Sequence, residues 1–404
     1  MPAMKNTSQK KSAPHVETHF DNEISPVVVK RWPRRRGEKL RAWDGADRFL
    51  LNAFSERFVD CAPGQINVVV VNDSCGAVAL PLIASGHHVK SIGDSWMSRE
   101  ALVVNARDNE TDLTHWTNLW PFDLLEAHTF DSAAPTCVLM RIPKDLGFFE
   151  YQLQQLATQL PAQATLIFGG MDKHMPNSTM KIVEKYFLEP AMSLGKFKAH
   201  LIVATSGKSD IPKLAEMTPL KVPGLGGVVQ GMPGVFASQQ LDIGARFLLP
   251  HIPEPEEGDN AIRNIADVGC GNGVLGLLAA QRDINANVYF CDESAMALHA
   301  AQHNAKHIFP QRSFQFHHNN GLDGLDVKFD LMLLNPPFHR GHAVDTGVAE
   351  MLIQHCARHI APKGRMLMVA NRHLAYGPML KRNGFSARLV DQNEKFIVLD
   401  ARIK

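Results

Sequence analysis

The 404-residue sequence has no apolar run that approaches the roughly twenty residues of a membrane-spanning helix. Residues 1–25 lack the apolar core of a signal peptide, and their Lys, Ser and Thr content predicts a disordered tail. The six cysteines include no Cys-x-x-Cys pair, and the 19 histidines lack metal-ligand spacing with them, which argues against a disulfide framework and a zinc site. These absences predict a cytoplasmic protein with reduced thiols, no metal and no membrane segment.

The low net charge and the absence of a phosphate-binding loop bear on which ligands and partners the protein binds. The Gly-x-x-x-x-Gly-Lys-Ser/Thr motif of nucleoside triphosphatases is absent. The net charge of +1 is a mild argument against a nucleic-acid partner, although a local basic patch is sufficient for one. Residues 30–36, Lys-Arg-Trp-Pro-Arg-Arg-Arg, form such a patch; the alternative is a solvated segment before the first helix.

The most informative stretch is Asn335-Pro336-Pro337-Phe338, which follows the apolar run 329–334. That run predicts a buried parallel strand. An exocyclic amine delocalises its lone pair into the ring, and two fixed acceptors can hold its hydrogens and turn the lone pair toward a methyl donor. The Asn335 side-chain oxygen and the Pro336 carbonyl suit this role, while Phe338 offers a face for stacking. The two prolines fix the backbone and remove competing donors, and the alternative is a proline-rich turn.

A glycine-rich loop occurs earlier in the same half. The apolar run 262–268 leads into Gly269, Gly271 and Gly273 and then into an apolar helical segment, which is the context that gives such a loop meaning. The glycines let the backbone turn sharply and approach a ligand closely. Asp292 ends the next predicted strand, where a carboxylate can accept both hydroxyls of a ribose. The alternative for Asp292 is the N-cap of the following helix.

Asp267 favours S-adenosylmethionine over a dinucleotide as the cofactor. It precedes the first loop glycine by two positions. An acid there is unfavourable beside a pyrophosphate, but it suits a cationic sulfonium ligand with a free amino group. After a third short strand, Asn319 or Asn320 can contact the adenine edge, and a plain turn is an equally good interpretation of that pair.

The remaining segments of this half complete a seven-stranded sheet. Residues 364–370 predict a fifth strand, and residues 385–390 and 396–401 predict an antiparallel pair because the loop between them is short. The result is a doubly wound sheet with one reversed strand, which binds ligands at the carboxyl ends of its central strands. The glycine loop and the Asn-Pro-Pro-Phe segment both fall on that edge, so cofactor and amine can meet.

The first half repeats this plan without the same chemistry. It keeps only one loop glycine, Gly76, and it has Arg141 and Lys144 where the second half has Asn-Pro-Pro-Phe. These cations cannot accept hydrogens from an amine but can contact phosphate. We therefore expect a degenerate copy that is kept for substrate binding or as a scaffold, with Asp94 as a relic of the ribose acid. The matching segments are 67–76 with 265–273, 89–95 with 288–294, and 136–144 with 331–339.

The chain is long enough for two domains with full cores. We predict a degenerate domain over residues 26–215, a Gly- and Pro-rich linker over 216–233, and a catalytic domain over 234–404. Just after the linker, Asp242 and Arg246 either orient the substrate or form a local ion pair.

These features together resemble bacterial ribosomal-RNA guanine-N2 methyltransferases with tandem methyltransferase folds, and above all those that modify 23S rRNA. The resemblance covers nearly the whole chain after about residue 25. Ala237 stands where a serine is expected, and the lysine-rich N-terminus is a further departure. The most specific stretches are 234–236 with 241–247, 267–273, 291–294, 335–339 and 370–374.

The resemblance implies two tandem Rossmann-like methyltransferase domains with seven-stranded mixed sheets, the N-terminal one degenerate. It implies transfer of a methyl group from S-adenosylmethionine to N2 of one guanine in 23S rRNA, after that base has left its stack or in an open loop. Separately, we expect a monomer. The residues expected to contact the RNA substrate are Phe236, Arg246, Arg34, Arg35, Arg36, Arg141 and Lys144.

Three alternatives remain open. A relative with the same tandem fold acts on 16S rRNA. A protein glutamine methyltransferase faces the same electronic problem at an amide nitrogen, but such enzymes usually carry Tyr where this chain has Phe338. A non-catalytic RNA-binding factor is the third alternative, and the intact loop 267–273 argues against it.

Overall fold

Runs of valine and leucine form the central strands of two sheets, as the sequence predicts. In the computed structural model, the side chains of residues 68–71 and 331–334 are buried because helices cover both faces of each sheet. The structure describes residues 16–34, 37–125, 135–161, 163–213, 217–255, 258, 261–337 and 346–403.

The first half contains, in chain order, β1 (His19–Phe20), β2 (Val27–Val28), α1 (Gly45–Arg57), β3 (Asn67–Val71), α2 (Ala79–Ala84), β4 (Val89–Ile92), α3 (Trp96–Asp108), β5 (Trp116–Leu119), β6 (Thr136–Arg141), α4 (Leu146–Gln159), β7 (Thr165–Met171), α5 (Ser178–Tyr186), β8 (Phe187–Met192) and β9 (Ala199–Gly207).

The second half contains β10 (Thr218–Lys221), β11 (Val228–Gly231), α6 (Ile243–Leu248), β12 (Asn264–Val268), α7 (Val274–Arg282), β13 (Asn287–Asp292), α8 (Ala295–Ile308), β14 (Gln315–His318), β15 (Phe329–Leu334), α9 (Thr346–His359), β16 (Ile360–Asn371), α10 (Tyr376–Arg382), β17 (Phe385–Gln392) and β18 (Phe396–Ile403).

The two halves form seven-stranded sheets of the same topology. Their strand orders are β5-β4-β3-β6-β7-β9-β8 and β14-β13-β12-β15-β16-β18-β17. Strands β9 and β18 run antiparallel to both of their neighbours, and the other pairs are parallel. The predicted fold, two Rossmann-like mixed sheets with one reversed strand each, is therefore confirmed.

A short antiparallel hairpin precedes each sheet, β1–β2 in the first half and β10–β11 in the second. A buried asparagine ties each hairpin to a helix on the sheet. Asn105 exchanges hydrogen bonds with the backbone of Lys30, and Asn304 does the same with Gln230. The repeat therefore extends beyond the two sheets into the segments before them.

Parts of these hairpins fall in segments predicted as a tail and a linker, although the sequence also indicates a short strand at 228–229, which lies within β11. Strands β10 and β11 lie within the predicted linker 216–233, where some of the glycines serve the hairpin turn and Gly224 has φ +82°. Strand β1 lies within the predicted tail 1–25, of which residues 1–15 are outside the described residues. The domain bounds themselves stay predictions.

The two copies meet at the N-termini of the equivalent helices α3 and α8. Ser95 and Ser294 cap these helices and form an antiparallel bridge with each other. An apolar cluster beside the bridge joins α4, α8 and the segment after β11. Two backbone hydrogen bonds of 2.8 Å cross the bridge, from Trp96 N–H to the Glu293 carbonyl and from Ala295 N–H to the Asp94 carbonyl.

The equivalence of the two caps corrects the interpretation of Asp94. Because Ser95 corresponds to Ser294, Asp94 corresponds to Glu293, and Gly93 holds the place of Asp292. The prediction that Asp94 is a relic of the ribose acid is wrong. The second copy has two adjacent acids before its serine, and the equal-length match of 89–95 with 288–294 pairs Asp94 with the second of them.

Within the described residues, no helix is both long and apolar enough to cross a membrane, and no three His, Cys, Asp or Glu side chains come together as a metal site. The six cysteines, all of them described, form no disulfide.

Candidate active site

A pocket of about 390 Å³ lies at the carboxyl edge of the second sheet, where β12, β13 and β15 end. Parallel strands bring their carboxyl ends to one edge, so residues distant in sequence meet there. The predicted site residues that line the pocket are Phe236, Asp267, Gly269, Gly271, Asp292, Asn320, Asn335 and Pro337.

The three loop glycines have two different functions. Gly269 and Gly271 have φ of +72° and +53°, and no heavy atom lies within 4 Å of the position that a Cβ would take, so a side chain there would enter open space at the pocket. Gly273 has φ +83°, but its Cβ would meet Ala301 and Phe290 at 3.2 Å. Gly273 is therefore a packing residue, and the structure does not place it on the pocket wall as predicted.

Asp267 is the penultimate residue of β12 and lies inside the protein. One of its oxygens accepts a hydrogen bond of 2.8 Å from the Gly276 N–H, and burial raises the pKa of this carboxyl to about 8. None of the described ion pairs involves Asp267, and the only nearby charge that acts on its pKa belongs to another acid, Asp292. The free carboxylate is therefore costly, and a cation in the pocket would stabilise it.

Asp292 ends β13, one strand away. Its two oxygens accept hydrogen bonds of 3.0 Å from the N–H groups of Gly271 and Ser294, and burial raises its pKa to about 6. Each oxygen keeps a second lone pair for a hydroxyl donor. The helix-capping alternative does not hold, because the side chain that caps α8 is Ser294.

Asn335 follows β15 and faces the same pocket. Its Nδ2 donates a hydrogen bond of 3.0 Å to the Asp242 carboxylate, and its Oδ1 is buried without a hydrogen-bond partner. A buried acceptor without a partner is unfavourable, so this oxygen is prepared for a donor on a ligand. Pro336 is buried, and Phe338 lies outside the described residues.

Several predicted substrate residues lie elsewhere. Arg246 is exposed on α6, away from the pocket wall, and the described structure contains no ion pair between it and Asp242. Arg34 is paired with Asp108 on the surface. Arg35 and Arg36 are outside the described residues.

Arg141 ends β6 and Lys144 follows it, but the two differ in their surroundings. Arg141 donates hydrogen bonds to Asp44 and Asp47, the latter at 2.8 Å, so a phosphate contact would have to replace an internal ion pair. Lys144 is exposed at the carboxyl edge of the first sheet.

Several pocket residues are missing from the sequence prediction, and two of them lie outside the predicted motifs. Asp94, from the first copy, reaches the pocket of the second, and its carboxylate accepts a hydrogen bond of 2.7 Å from Met296 N–H. Met351 on α9 forms part of another wall. No sequence signal indicates either contact, because both depend on how separate elements pack.

The corresponding edge of the first copy is altered. By strand register, Val70 holds the place of Asp267, and Gly93 that of Asp292. Asp73 fills the loop instead, where its oxygens accept hydrogen bonds of 2.8–3.0 Å from three N–H groups at the start of α2. The first copy thus lacks both acids and occupies its own loop, in agreement with the predicted degeneracy.

The fold and the intact second pocket define a methyltransferase with two tandem copies. Residues 227–400 match the family model of the methyltransferase small domain, and residues 17–208 match that of the RLMG N-terminal domain.

Relatives of known name extend over nearly the whole chain. A ribosomal RNA large subunit methyltransferase G from Alcanivorax borkumensis is 38% identical over 94% of this chain and 96% of its own length. A protein of the same name from Vibrio parahaemolyticus is 33% identical over 96% of this chain and 97% of its own length. The chain belongs to the ribosomal RNA large subunit methyltransferase G family.

A solved structure shares the complete tandem fold. The T. thermophilus 16S rRNA N2 methyltransferase RsmC, in complex with AdoMet and guanosine, has a TM-score of 0.71 and 19% sequence identity. The similarity covers 96% of this chain and 98% of that chain.

The raised pKa of Asp267 predicts a pH-dependent stability. Folded protein keeps this proton up to about pH 8, whereas the unfolded chain loses it near the ordinary pKa of 3.8. The free energy of unfolding therefore falls as pH rises between these values, by at most about 1.4 kcal/mol per unit for this group. Asp267→Asn should lose less stability than the wild type between pH 6 and 8 in urea denaturation. Asp326→Asn, at an exposed aspartate, is the control, and equal slopes for wild type and Asp267→Asn would contradict the buried proton.

Proposed function

We propose that this protein transfers a methyl group from S-adenosylmethionine to N2 of a guanine in 23S rRNA. The observation that carries the proposal is the unpartnered Oδ1 of Asn335, which faces a pocket that also holds two buried carboxylates. Family membership supports the large ribosomal subunit as the source of the substrate. We further propose that the enzyme acts as a monomer in the cytoplasm.

The residues of the pocket fit the proposed cofactor. Asp292 can accept the ribose hydroxyls through its remaining lone pairs, and Asn320 can contact the adenine edge. Asp267 has no described cationic partner and favours a ligand with an amino group and a sulfonium. Gly269 and Gly271 leave open space for the ligand beside the backbone. When bound, S-adenosylmethionine supplies an electrophilic methyl group on a positively charged sulfur.

Asn335 and Pro336 act on the amine of the target base. Asn335 Oδ1 accepts one N2 hydrogen and the Pro336 carbonyl accepts the other, which turns the nitrogen lone pair out of the ring plane and toward the methyl carbon. The new N–C bond forms as the C–S bond breaks, and the extra proton on N2 then leaves to water. Stacking of the base on Phe338 remains a prediction.

Four lysines form a basic surface at the carboxyl edge of the first sheet. All four side chains are exposed, and they lie after β6, after β7 and before β9, whose ends meet at this edge. We name this the lysine surface; its members are Lys144, Lys173, Lys196 and Lys198.

An aromatic ring lies within the lysine surface. The half-exposed ring of Phe197 has Arg48 at 5.5 Å and Lys196 at 5.2 Å from its centroid. Cations beside an accessible aromatic ring suit a single RNA strand, because charge contacts the phosphates and the ring can stack on a base.

The lysine surface is connected to the catalytic pocket. Asp145, next to Lys144, lines a groove with the segment 236–240, and Phe236 belongs to both this groove and the pocket. Phe236 is 68% exposed. We propose that the RNA strand runs from the lysine surface across Phe236 to Asn335.

Charge reversal tests the proposed RNA path. Lys196→Glu with Lys198→Glu should weaken RNA binding and reduce its salt dependence, because fewer phosphate contacts release fewer counterions. AdoMet affinity should stay unchanged. The control is Lys306→Glu with Lys363→Glu, which reverses two exposed lysines at the opposite edge of the second sheet. Equal loss of RNA affinity in both double variants would show that the effect is not specific to the lysine surface and would contradict the proposed path.

The reaction is tested with labelled S-adenosylmethionine and separately prepared unmodified 16S and 23S rRNA, followed by nucleoside analysis. N2-methylguanosine from 23S rRNA alone is expected. Asn335→Ala should lower kcat by about 100-fold or more while AdoMet affinity stays constant, because it removes an acceptor for the reacting amine. Asn287→Ala, an exposed asparagine at the opposite edge, is the control. Label in 16S rRNA, or in protein alone, would contradict 23S rRNA as the substrate and identify the labelled molecule instead. No label in any of them would favour a non-catalytic RNA-binding factor.

The glycine loop predicts a separate effect on cofactor binding. Gly271→Ala places a methyl group in the pocket, so AdoMet affinity should fall by about tenfold or more, which equals about 1.4 kcal/mol. The variant also adds left-handed backbone strain of about 1–2 kcal/mol. Gly64→Ala introduces the same strain at φ +83° in open space outside the pocket, and it should keep AdoMet affinity. If both variants lost AdoMet affinity, the loss in Gly271→Ala would be explained by backbone strain and not by the methyl group in the pocket.

A further inference from the structure

Asp242 holds the amide of Asn335 in one orientation. Its Oδ2 accepts two hydrogen bonds, from the Ala245 N–H at 2.7 Å and from Asn335 Nδ2 at 3.0 Å. A carboxylate in this position only accepts, so the nitrogen side of the amide must face it. The two ends of an asparagine amide are otherwise hard to tell apart, and here the partner decides between them.

The fixed amide leaves its oxygen for the ligand. With Nδ2 held by Asp242, Oδ1 of Asn335 is buried, has no hydrogen-bond partner and belongs to the pocket wall. A flipped amide would present N–H groups to the target amine, which is itself a donor. Two donors facing each other cannot form a hydrogen bond, so the flipped state would not bind the amine productively.

The first copy contains the same contact, which is independent support. By strand register Arg141 holds the place of Asn335, and Asp44 caps α1 as Asp242 caps α6. Arg141 donates to Asp44 at 2.9 Å. Contact between the capping aspartate and the residue at the carboxyl end of the fourth strand is therefore common to both copies, whereas a free acceptor at this position occurs only in the second.

We propose that Asp242 is a positioning residue for methyl transfer, which acts by orienting the Asn335 amide toward the amine of the substrate. The inference rests on the proposed function, since it needs a planar amine as the target. Asp242 also lines the pocket, and in this proposal it acts through the Asn335 amide rather than on the reacting atoms. Its effect should therefore appear in kcat and be absent from cofactor binding.

Substitution with serine separates the two hydrogen bonds of Asp242. Serine caps helices well, so Asp242→Ser keeps a partner for the Ala245 N–H, but its shorter side chain cannot reach Asn335. We expect kcat for 23S rRNA to fall by roughly 10–100-fold, as is typical when the support of a reacting group is removed. The AdoMet dissociation constant should be unchanged. Asp242→Asn should restore most of the rate, because its oxygen can accept from the same two donors.

The symmetry of the chain supplies a matched control. Asp44→Ser makes the same change at the equivalent cap, removes one of the two acids that hold Arg141 and leaves Asp47 and the catalytic pocket in place. It should reduce thermal stability without a change in kcat. Asp242→Thr, which also caps a helix, gives a second test should the serine variant fail to fold.

The possible results distinguish this inference from the proposed function. A wild-type protein without guanine-N2 transfer would overturn the proposed function. Normal transfer by wild type with an equal kcat in Asp242→Ser would overturn the positioning role alone. A parallel loss of AdoMet affinity and kcat would also overturn it, because Asp242 would then support the pocket as a whole. A lower kcat at constant AdoMet affinity, restored by Asp242→Asn, would support it.

Discussion

Two carboxylates buried without a described cationic partner are the constraint on which the second copy depends. Asp267 and Asp292 lie at the carboxyl ends of neighbouring strands, and burial raises their pKa values to about 8 and about 6. Backbone N–H groups of Gly276, Gly271 and Ser294 provide the available compensation, and Gly271 supplies its N–H from a left-handed conformation. Glycine is also required at position 276, because a Cβ there would lie 2.5 Å from Phe290. The glycines that shape the loop are therefore also what allows the two carboxylates to be buried beside the pocket.

The degenerate first copy contributes to the pocket of the second copy. Its helix α3 meets helix α8 of the second copy through two reciprocal backbone hydrogen bonds, and this contact brings Asp94 to the wall of the active pocket. Asp94 also caps the first turn of α8 through the Met296 N–H. A copy that has lost its own acids therefore still shapes the site of its partner, which gives it a structural reason to persist besides any contact with RNA.

The fold was largely predictable from the sequence, because buried parallel strands leave continuous apolar runs and the 329–334 strand has the predicted bounds. The site residues that end strands were also predictable, since topology brings them to one edge. Contacts that depend on side-chain direction were not. The pattern does not distinguish Gly273, which packs on a helix, from Gly271, which borders the pocket. Nor does it indicate that Asp242 bonds to Asn335 across 93 residues, because the distance between them closes only in the folded chain.

The two copies differ in how completely the same contact is satisfied. In the first, Arg141 donates hydrogen bonds to both Asp44 and Asp47. Such an ion pair fixes the guanidinium in place and leaves few of its N–H groups for a substrate. In the second, alanine replaces the second acid and an amide replaces the guanidinium, so one carboxylate accepts from Asn335 and one amide oxygen stays unused. A buried acceptor without a partner costs stability. Such a cost is acceptable where a ligand supplies the missing donor, and this is the physical basis for proposing the Asn335 oxygen as the acceptor for the target amine.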